Sequence, residues 1–372
     1  MKLAVLTGEP SGDLLAGSVV RAVQEEVPDL RLIGVGGERL AASGLESRYP
    51  LKGFAVNGLV EVLPHLPRLL LRIEQLTRWL LVEQPDAVLT VDAPDLTLRI
   101  AKALRARGYG GPLIHLVAPT VWAWKPERAE AMAGFLDHVL CLFPFEPDYF
   151  TAHGLPASFV GHPILARSDP PAEKEPRTLL LLPGSRMSEV RHMVPLFRET
   201  VAALAQRVSG LRCLVPTVET TRALVTARMG SDWPTPIEFR FREPDRLDAF
   251  ASASVALAAS GTVALELAQA NVAGVIAYRL APATHRAVLR QTQLQHFSLI
   301  NILGGREIMP ELLQDSARAD ALAPALERLL TDDAARTAQI AEQRTAFATL
   351  ALPTGQSPAK VAAETLLSLV RG

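Results

Sequence analysis

The arrangement of short apolar segments along the chain constrains its fold more than any other feature of the sequence. Runs of about five apolar, β-favouring residues alternate with longer stretches of helical character. Because near-continuous apolar strands separated by helices are typical of parallel sheets covered on both faces, the pattern predicts an α/β fold. The predicted strands span residues 2–6, 31–35, 87–91, 113–117 and 138–142, followed by 178–182, 211–215, 237–241, 254–258 and 273–278.

A single break in composition divides this series into two. Residues 168–176 are rich in proline and charge, which disfavours packing in a core and predicts an interdomain linker. We therefore expect two doubly wound, Rossmann-like domains, residues 1–168 and 177–350, with about five strands each. Two such domains facing each other form a cleft at the carboxyl ends of their strands, where open α/β sheets bind ligands. The helical tail, residues 351–372, either docks back onto the chain or is exchanged in a homodimer.

Charge and composition exclude several classes of protein. The chain has 38 Lys and Arg against 39 Asp and Glu, so no bulk positive field favours nucleic acid as a partner. Cys141 and Cys213 lie in different apolar runs, which favours buried thiols and a reducing compartment. The histidines lack the spacing of a metal site, and we expect neither a metal nor another cofactor. Without a membrane-spanning run or a signal segment, the sequence predicts a cytoplasmic protein.

The turn after the first predicted strand combines glycines with the start of a helix. Gly8, Glu9, Ser11 and Gly12 form this turn, where the backbone can approach a ligand closely and the helix N–H groups attract an anion. The glycine spacing differs from G-x-G-x-x-G, which disfavours a dinucleotide. An ordinary strand-to-helix turn, capped by Ser11 or Asp13, is the alternative.

Two further loops of the first domain carry chemically useful side chains. Asp92 follows the predicted strand 87–91, where a carboxylate points into the expected cleft and can accept a proton from a sugar hydroxyl. A structural turn is the alternative for this residue. Trp122 and Trp124 lie in the loop after 113–117, where their rings suit stacking on a sugar, lining an acyl pocket, or packing beneath the loop.

In the second domain, two strand-to-helix turns together predict a site for a nucleotide diphosphate. The residues of this predicted site are Gly184, Ser185, Arg186, Ser260, Gly261, Thr262 and Glu266. Arg186 offers a planar fork to a pyrophosphate beside the positive end of a helix, and small residues at both turns leave room for phosphate. Glu266, one helical turn after the second group, can reach a ribose diol. Capped turns and a core-facing glutamate are the alternatives.

The segment 54–82 differs in character from the rest of the first domain. Its many leucines and valines are interleaved with arginines, too many for one narrow buried stripe. This composition predicts an interfacial segment that meets anionic headgroups at a membrane and helps to extract a lipid. The alternative is a pair of core helices interrupted by Pro64 and Pro67.

Taken in order, these motifs resemble those of the lipid-A-disaccharide synthase family. The matching segments are 8–13, 57–63, 92–95, 119–124, 142–146, 161–163, 182–186, 260–262 and 301–314. Because they occur in the family's order over nearly the whole chain, the resemblance is specific.

The resemblance implies an inverting glycosyltransferase with the GT-B architecture. Members of the family transfer 2,3-diacylglucosamine from UDP to the 6-hydroxyl of 2,3-diacylglucosamine 1-phosphate, which gives a β-1,6 disaccharide and UDP. They are peripheral enzymes of the inner membrane in lipid A synthesis. By position, Asp92 matches the proposed base, Arg186 a donor-site arginine, Asn301 a functional polar residue assigned to the donor site, and Glu266 the ribose-binding glutamate of GT-B enzymes.

The expected mechanism is a direct displacement without a metal. Asp92 removes the proton from the acceptor hydroxyl, while Arg186 and the nearby helix starts stabilise the charge on the leaving diphosphate. Two alternatives stay open from the sequence. One is an enzyme of the UDP-N-acetylglucosamine 2-epimerase type, or a GT-B transferase with another acceptor. The other is a binding protein that has kept the nucleotide site and lost catalysis.

Overall fold

A computed structural model describes residues 1–51, 66–166, 173–230, 232–259, 261–279 and 295–371, although the side chains of 66–68 lie outside the described part. The chain divides into two units. Unit 1 comprises Met1–Ala166 together with Leu350–Gly372, and unit 2 comprises Arg167–Thr349. The chain therefore leaves unit 1, builds unit 2, and returns to unit 1 at its end.

Unit 1 contains a parallel six-stranded sheet flanked by helices. The strands are β1 (Lys2–Thr7), β2 (Arg31–Val35), β3 (Ala87–Val91), β4 (Leu113–Leu116), β5 (His138–Cys141) and β6 (Ala157–Phe159). The helices before the chain enters unit 2 are α1 (Pro10–Glu26), α2 (Glu38–Ala41), α3 (Leu66–Glu83), α4 (Pro94–Ala106), α5 (Glu127–Ala133) and α6 (Pro147–Thr151). The strand order is β2-β1-β3-β4-β5-β6.

Unit 2 repeats this architecture with a second parallel six-stranded sheet. The strands are β7 (Thr178–Leu182), β8 (Arg212–Pro216), β9 (Ile237–Arg240), β10 (Val255–Ala258), β11 (Ala273–Tyr278) and β12 (Glu311–Leu313). The helices are α7 (Met187–Ala205), α8 (Glu219–Met229), α9 (Glu243–Ser252), α10 (Val263–Gln269), α11 (Leu299–Gly304), α12 (Ala319–Thr331) and α13 (Asp333–Ala348). The strand order is β12-β11-β10-β7-β8-β9.

The buried central strands confirm the predicted α/β class. Every residue of β3 and of β7 is buried, as expected for strands with helices on both faces. The expectation of about five strands per domain was wrong, because each sheet has a sixth strand at one edge. These extra strands, β6 and β12, are only three residues long and are half-buried, so they leave no apolar run in the sequence.

Both sheets reverse their strand order at one internal position. In unit 1 the reversal lies between β1 and β3, and in unit 2 it lies between β7 and β10. At such a point the two following loops run to opposite faces of the sheet and leave a crevice at the carboxyl ends of the strands, where open α/β sheets bind ligands. The predicted turns that hold Gly8, Asp92, Gly184 and Gly261 follow these same four strands, whereas Trp122 and Trp124 follow β4 and Asn301 lies on α11.

The final helix, α14 (Pro358–Arg371), packs against α1 within unit 1. It buries Ala362, Ala363, Leu366 and Leu367. The predicted linker lies partly outside the described residues. Its described end is attached to unit 2, since the Lys174 ammonium donates hydrogen bonds to backbone carbonyls of α9 and of the turn after α10.

The predicted interfacial segment 54–82 is described only from residue 66 onwards. There it forms α3, whose inner face buries Ile73, Leu76 and Leu80 at helical spacing. Leu71 is 62% exposed on the outer side. No helix among the described residues is both long and apolar enough to cross a membrane.

Candidate active site

In unit 1, the turns after β1 and β3 pack against each other. A Cβ atom on Gly8 would lie 2.6 Å from the Ala93 Cβ, and one on Gly12 would lie 3.2 Å from the Val91 carbonyl oxygen. Glycine is therefore needed at both positions for this close approach. The exposed Ser11 and the half-buried Glu9 complete the first turn.

Asp92 stands at the end of β3, in the crevice where the strand order reverses. Its backbone has a left-handed φ of 52°, and its N–H donates to the Leu116 carbonyl at 3.0 Å. The carboxylate Oδ2 accepts a hydrogen bond from the Ser11 hydroxyl at 3.1 Å, and Oδ1 accepts from the Ala93 N–H at 2.8 Å. The side chain is fixed but only half-buried, which leaves the carboxylate accessible to a substrate hydroxyl.

Asp13, in the same sequence motif, has a structural role that differs from the predicted one. It is buried, and its carboxylate accepts hydrogen bonds from the N–H groups of Gly37 and Arg39 at 2.7 and 2.9 Å, at the start of α2. The alternative in which Ser11 or Asp13 caps α1 was wrong. That helix begins with Pro10, which has no N–H to satisfy, and its N-terminus receives no side-chain cap.

The tryptophan loop follows β4, the next strand along the sheet from β3. The Trp122 indole Nε1 donates to the Glu146 carboxylate Oε1 at 3.2 Å, and its ring meets Phe145 edge to face at 5.4 Å between centroids. Lys125 Nζ lies 5.8 Å from the centroid of the Trp124 ring. Both tryptophans are half-buried, so each has one side against the protein and one available. The sequence prediction had not singled out Glu146.

In unit 2, the two predicted turns are neighbours at the carboxyl ends of β7 and β10. The N–H of Ala259 donates to the Leu182 carbonyl at 2.8 Å, directly before the turns begin. The sheet therefore brings Gly184, Ser185 and Arg186 to the same edge as Gly261 and Thr262. Ser260, the other predicted member, lies outside the described residues.

Glu189 occupies part of the predicted phosphate-binding turn. Its Oε2 accepts hydrogen bonds from the N–H groups of Ser185 and Arg186 at 3.1 and 3.2 Å. Gly184 has φ of 110°, and a Cβ there would lie 2.5 Å from the same oxygen. In this conformation the Glu189 carboxylate satisfies both N–H groups, and the nucleotide-diphosphate role of the turn stays a prediction. The exposed side chains of Ser185 and Arg186 remain for a ligand.

Arg186 itself extends away from the helix start. Its side chain is 76% exposed, and its Nη1 lies 3.2 Å from Glu189 Oε1. The Tyr278 hydroxyl donates to that oxygen at 3.4 Å. Burial, and then the charge of Glu189, raises the pKa of Tyr278 to about 12, so this phenol is a hydrogen-bond donor at neutral pH. Glu189 thus links Arg186 to the end of β11.

The second turn of unit 2 is held by a backbone segment that precedes α11. A Cβ on Gly261 would lie only 2.4 Å from the Phe297 carbonyl oxygen, which explains the glycine. Glu311 accepts the N–H groups of Phe297 and Ser298, both at 2.7 Å, and so fixes this segment. Thr262 is exposed at the start of α10, and Glu266 is half-buried one turn later.

Asn301 is buried, and all hydrogen-bonding positions of its amide are used within unit 2. Its Nδ2 donates to the Met309 carbonyl and to Glu311 Oε1, both at 2.8 Å. Its Oδ1 accepts the N–H groups of Ile308 and Met309 at 2.8 and 2.9 Å. Asn301 and Glu311 therefore hold this backbone segment together, and in this conformation the Asn301 amide has no position left for a ligand.

His115 and His138 are buried in unit 1. His115 is completely buried, contacts the Thr90 hydroxyl at 2.9 Å, and burial lowers its pKa to about 4. Among the described residues, no group of three or more His, Cys, Asp or Glu side chains is arranged to hold a metal ion.

Comparison with solved structures shows a shared fold. The UDP-GlcNAc 2-epimerase of Neisseria meningitidis, solved with UDP-GlcNAc, has a TM-score of 0.63 at 11% identity, and 100% of both chains is covered. The glycosyltransferase of kitacinnamycin has a TM-score of 0.61 at 16% identity, over 99% of this chain and 98% of its own. The predicted GT-B class of fold is thereby confirmed, and at these identities the likeness is one of fold alone.

Comparison of sequences identifies the family. The family model for lipid-A-disaccharide synthetase matches residues 3–364. The lipid-A-disaccharide synthase of Rhodospirillum centenum is 45% identical over 348 residues, which is 90% of this chain and 86% of the relative. That of Paramagnetospirillum magneticum is 42% identical over 385 residues, 100% of this chain and 98% of its own. With this likeness over its full length, and with the motifs at both points of strand reversal, the chain belongs to the lipid-A-disaccharide synthase family of glycosyltransferases.

Proposed function

We propose that this chain transfers 2,3-diacylglucosamine from its UDP conjugate to the 6-hydroxyl of 2,3-diacylglucosamine 1-phosphate, known as lipid X. The products are a β-1,6-linked disaccharide 1-phosphate and UDP. The observation that carries the proposal is the family match over residues 3–364, since the relatives across that length are lipid-A-disaccharide synthases. The epimerases share the fold only, at far lower identity.

Acceptor activation is assigned to Asp92 of unit 1. A general base must lie within hydrogen-bond reach of the hydroxyl and must hold a fixed orientation. Three contacts support this role: the Ser11 hydroxyl and the Ala93 N–H fix the carboxylate, and the backbone is tied to Leu116. As the acceptor oxygen attacks the anomeric carbon and the bond to UDP breaks, the hydroxyl proton passes to Asp92. The charge then moves to the leaving diphosphate.

Donor binding is assigned to unit 2. The exposed guanidinium of Arg186 neutralises the diphosphate, with Ser185 and Thr262 as hydroxyl donors beside it. Glu266, one helical turn after Thr262, accepts the ribose hydroxyls. These groups supply the charge stabilisation that a metal provides in other enzymes, and we expect turnover to be retained in EDTA.

The test is a mass-spectrometric assay of the purified protein with both acylated substrates in the presence of EDTA. We expect disaccharide 1-phosphate and UDP from the wild-type chain. Asp92→Asn should lower turnover by about 10²–10⁴-fold, the usual contribution of a positioned base. Asp95→Asn is the matched control, because that carboxylate lies three residues further on, is 84% exposed and pairs with Arg128.

Each outcome of this assay is informative. Normal turnover by Asp92→Asn, with an unchanged urea unfolding midpoint, would exclude Asp92 as the base. Release of free sugar without a disaccharide would replace the transfer reaction by an epimerase-type reaction. A chain that binds UDP but forms no product from these lipids would have a different acceptor.

We also assign a membrane-facing role to the outer side of α3, because both substrates carry acyl chains. Leu70 and Leu71 are 46% and 62% exposed there, and Arg78 is exposed about two turns further on, where it pairs with Glu74 at 2.6 Å. Exposed apolar side chains near a basic residue are typical of a peripheral membrane contact. The homodimer expected from the tail remains a prediction of the sequence alone.

Sedimentation with anionic phospholipid vesicles tests this surface. The paired change Leu70→Gln and Leu71→Gln should reduce binding by about tenfold, because two apolar side chains no longer enter the interface. Leu14→Gln is the control, since Leu14 is 50% exposed on α1, a different helix of the same unit. Equal binding by wild type and the α3 variant would remove α3 from the membrane contact.

A further inference from the structure

Glu146 is a buried carboxylate to which the proposed reaction assigns no role. It follows β5 in the turn 142–146 and is 2% exposed. Its Oε2 accepts the N–H groups of Leu142 and Phe143 at 3.0 and 3.1 Å. Its Oε1 accepts the Trp122 indole N–H at 3.2 Å. A buried charged group with this many directed donors forms hydrogen bonds that are stronger than those between neutral partners.

The contact joins two loops that follow adjacent strands. Trp122 belongs to the loop after β4, and Glu146 ends the turn after β5. The Trp122 ring packs edge to face on Phe145, and Phe145 stacks on Phe143 at 5.6 Å between centroids. The aromatic contacts hold the indole ring in place, whereas the hydrogen bond to Glu146 fixes the direction of its N–H. Of these interactions, only the hydrogen bond depends on the charge of Glu146.

We propose that Glu146 is a positioning residue for the acceptor site: its carboxylate orients the Trp122 indole and thereby fixes the loop that borders Asp92. The link to Asp92 runs through β4, since the Asp92 N–H donates to the carbonyl of Leu116, the last residue of that strand. The assignment rests on the proposed function, in which this loop meets the acylated acceptor.

The protonation state of Glu146 controls this contact. Burial raises the pKa of the Glu146 carboxyl to about 7, against the opposing effect of its hydrogen bonds. Because Oε2 already accepts two backbone N–H groups, a proton is added at Oε1, the oxygen that faces the indole N–H. A neutral carboxyl oxygen is a weaker acceptor than a carboxylate oxygen, so protonation weakens the hydrogen bond from the Trp122 indole N–H. We therefore expect the loop to be held more firmly above about pH 7 than below it.

The titratable groups around Glu146 leave it as the one that changes charge near neutrality. Burial, and then the charge of Glu146, raises the pKa of the Cys141 thiol. His162, whose ring lies 5.2 Å from that of Phe143, has its pKa lowered to about 4 by burial. Lys125 beside the Trp124 ring and Asp148 at the start of α6 are the charged side chains on the two adjoining segments.

The experiment combines fluorescence with kinetics for three variants. Trp122→Phe keeps an aromatic ring and removes the N–H, Glu146→Gln keeps the shape and removes the charge, and Glu130→Gln is an exposed control on α5. The emission of Trp122 is obtained by subtracting the spectrum of Trp122→Phe from that of the wild type. We expect the Trp122 emission to change with pH, with a midpoint near pH 7, in the wild type and in Glu130→Gln. In Glu146→Gln we expect no such change.

The kinetic arm measures kcat/KM for each substrate across the same pH range. Glu146→Gln and Trp122→Phe should each lower kcat/KM for the acceptor about tenfold above pH 7 and leave the KM for the UDP donor unchanged. The double variant should be no worse than either single one, since both remove the same contact. In the wild type, kcat/KM for the acceptor should rise as the pH increases through 7, and Trp122→Phe should lack that rise.

Two results would overturn the proposal. Trp122 emission that is the same in the wild type and in Glu146→Gln at every pH would show that Glu146 does not hold the indole. Additive losses in the double variant, or equal losses for donor and acceptor, would make Glu146 a residue of general stability. Because the fluorescence titration needs no substrate, it still reports on Glu146 if the assay detects no disaccharide, and the two proposals fail separately.

Discussion

The amide of Asn301 shows how a polar residue in a functional motif acts through the backbone. Four hydrogen bonds within unit 2 leave it without a position for substrate. Asn301 and Glu311 together hold the segment against which Gly261 packs. The family resemblance predicts that Asn301 is functionally important. Its hydrogen-bond partners lie seven to ten residues later in the chain, beyond the end of α11. Local sequence therefore cannot separate a ligand contact from this role.

The Gly161-His162-Pro163 motif also contains a residue whose role in the structure is packing rather than contact with a ligand. Gly161 has φ of 90°, and a Cβ there would lie 2.7 Å from Leu352 Cδ1, in the segment that leads to α14. We predict that Gly161→Ala lowers the free energy of unfolding of unit 1 by about 3 kcal/mol, from backbone strain plus overpacking. Urea denaturation measures this loss.

Gly154→Ala separates the two causes. Gly154 has φ of 76°, but nothing lies within 4 Å of a Cβ placed there, so only the backbone strain of about 1 kcal/mol is expected. Leu352→Ala in the Gly161→Ala background should recover part of the free energy of unfolding that Gly161→Ala loses, because it removes the side chain that the new Cβ contacts. If both glycine variants lose the same amount, the contact with Leu352 contributes nothing.

At the scale of elements, the sequence predicts the central strands and the edge strands β2 and β9, and it misses the short edge strands β6 and β12. The predicted strand 87–91 coincides with β3, because a strand buried on both faces has to be apolar throughout. The edge strands β6 and β12 are half-buried and need only a few backbone hydrogen bonds with one neighbour. Their sequences, ASF and ELL, carry no periodic signal.

The ends of the elements were harder to predict than the elements themselves. Glu189 satisfies the N–H groups ahead of α7, and Asp13 satisfies those of α2, some 24 to 27 residues away along the chain. The first contact is local: the Glu189 carboxylate, in the first turn of α7, accepts the N–H of Arg186 three residues earlier, and a glutamate at this spacing could have indicated it. The second depends on how α1 packs beside α2, and no local pattern contains that information.

At the scale of the whole molecule, the tail makes the stability of unit 1 depend on residues beyond unit 2. We predict that deletion of residues 350–372 destabilises unit 1 and leaves unit 2 unaffected, because α14 buries Leu366 and Leu367 against unit 1. Each unit holds one buried thiol, Cys141 or Cys213, whose rate of labelling reports local opening. Labelling of Cys141 should become faster in the truncated chain, while that of Cys213 stays the same. Equal acceleration at both thiols would contradict this assignment of the tail.

The return of the chain to unit 1 also orders events during synthesis on the ribosome. Unit 2 is complete once residue 349 has emerged, whereas the surface of α1 that α14 covers stays bare until the last helix has been made. At about 5–20 residues per second, the roughly 200 residues between the two parts of unit 1 take about 10–40 s to translate. Unit 1, whose strands are translated first, is thus completed only after unit 2.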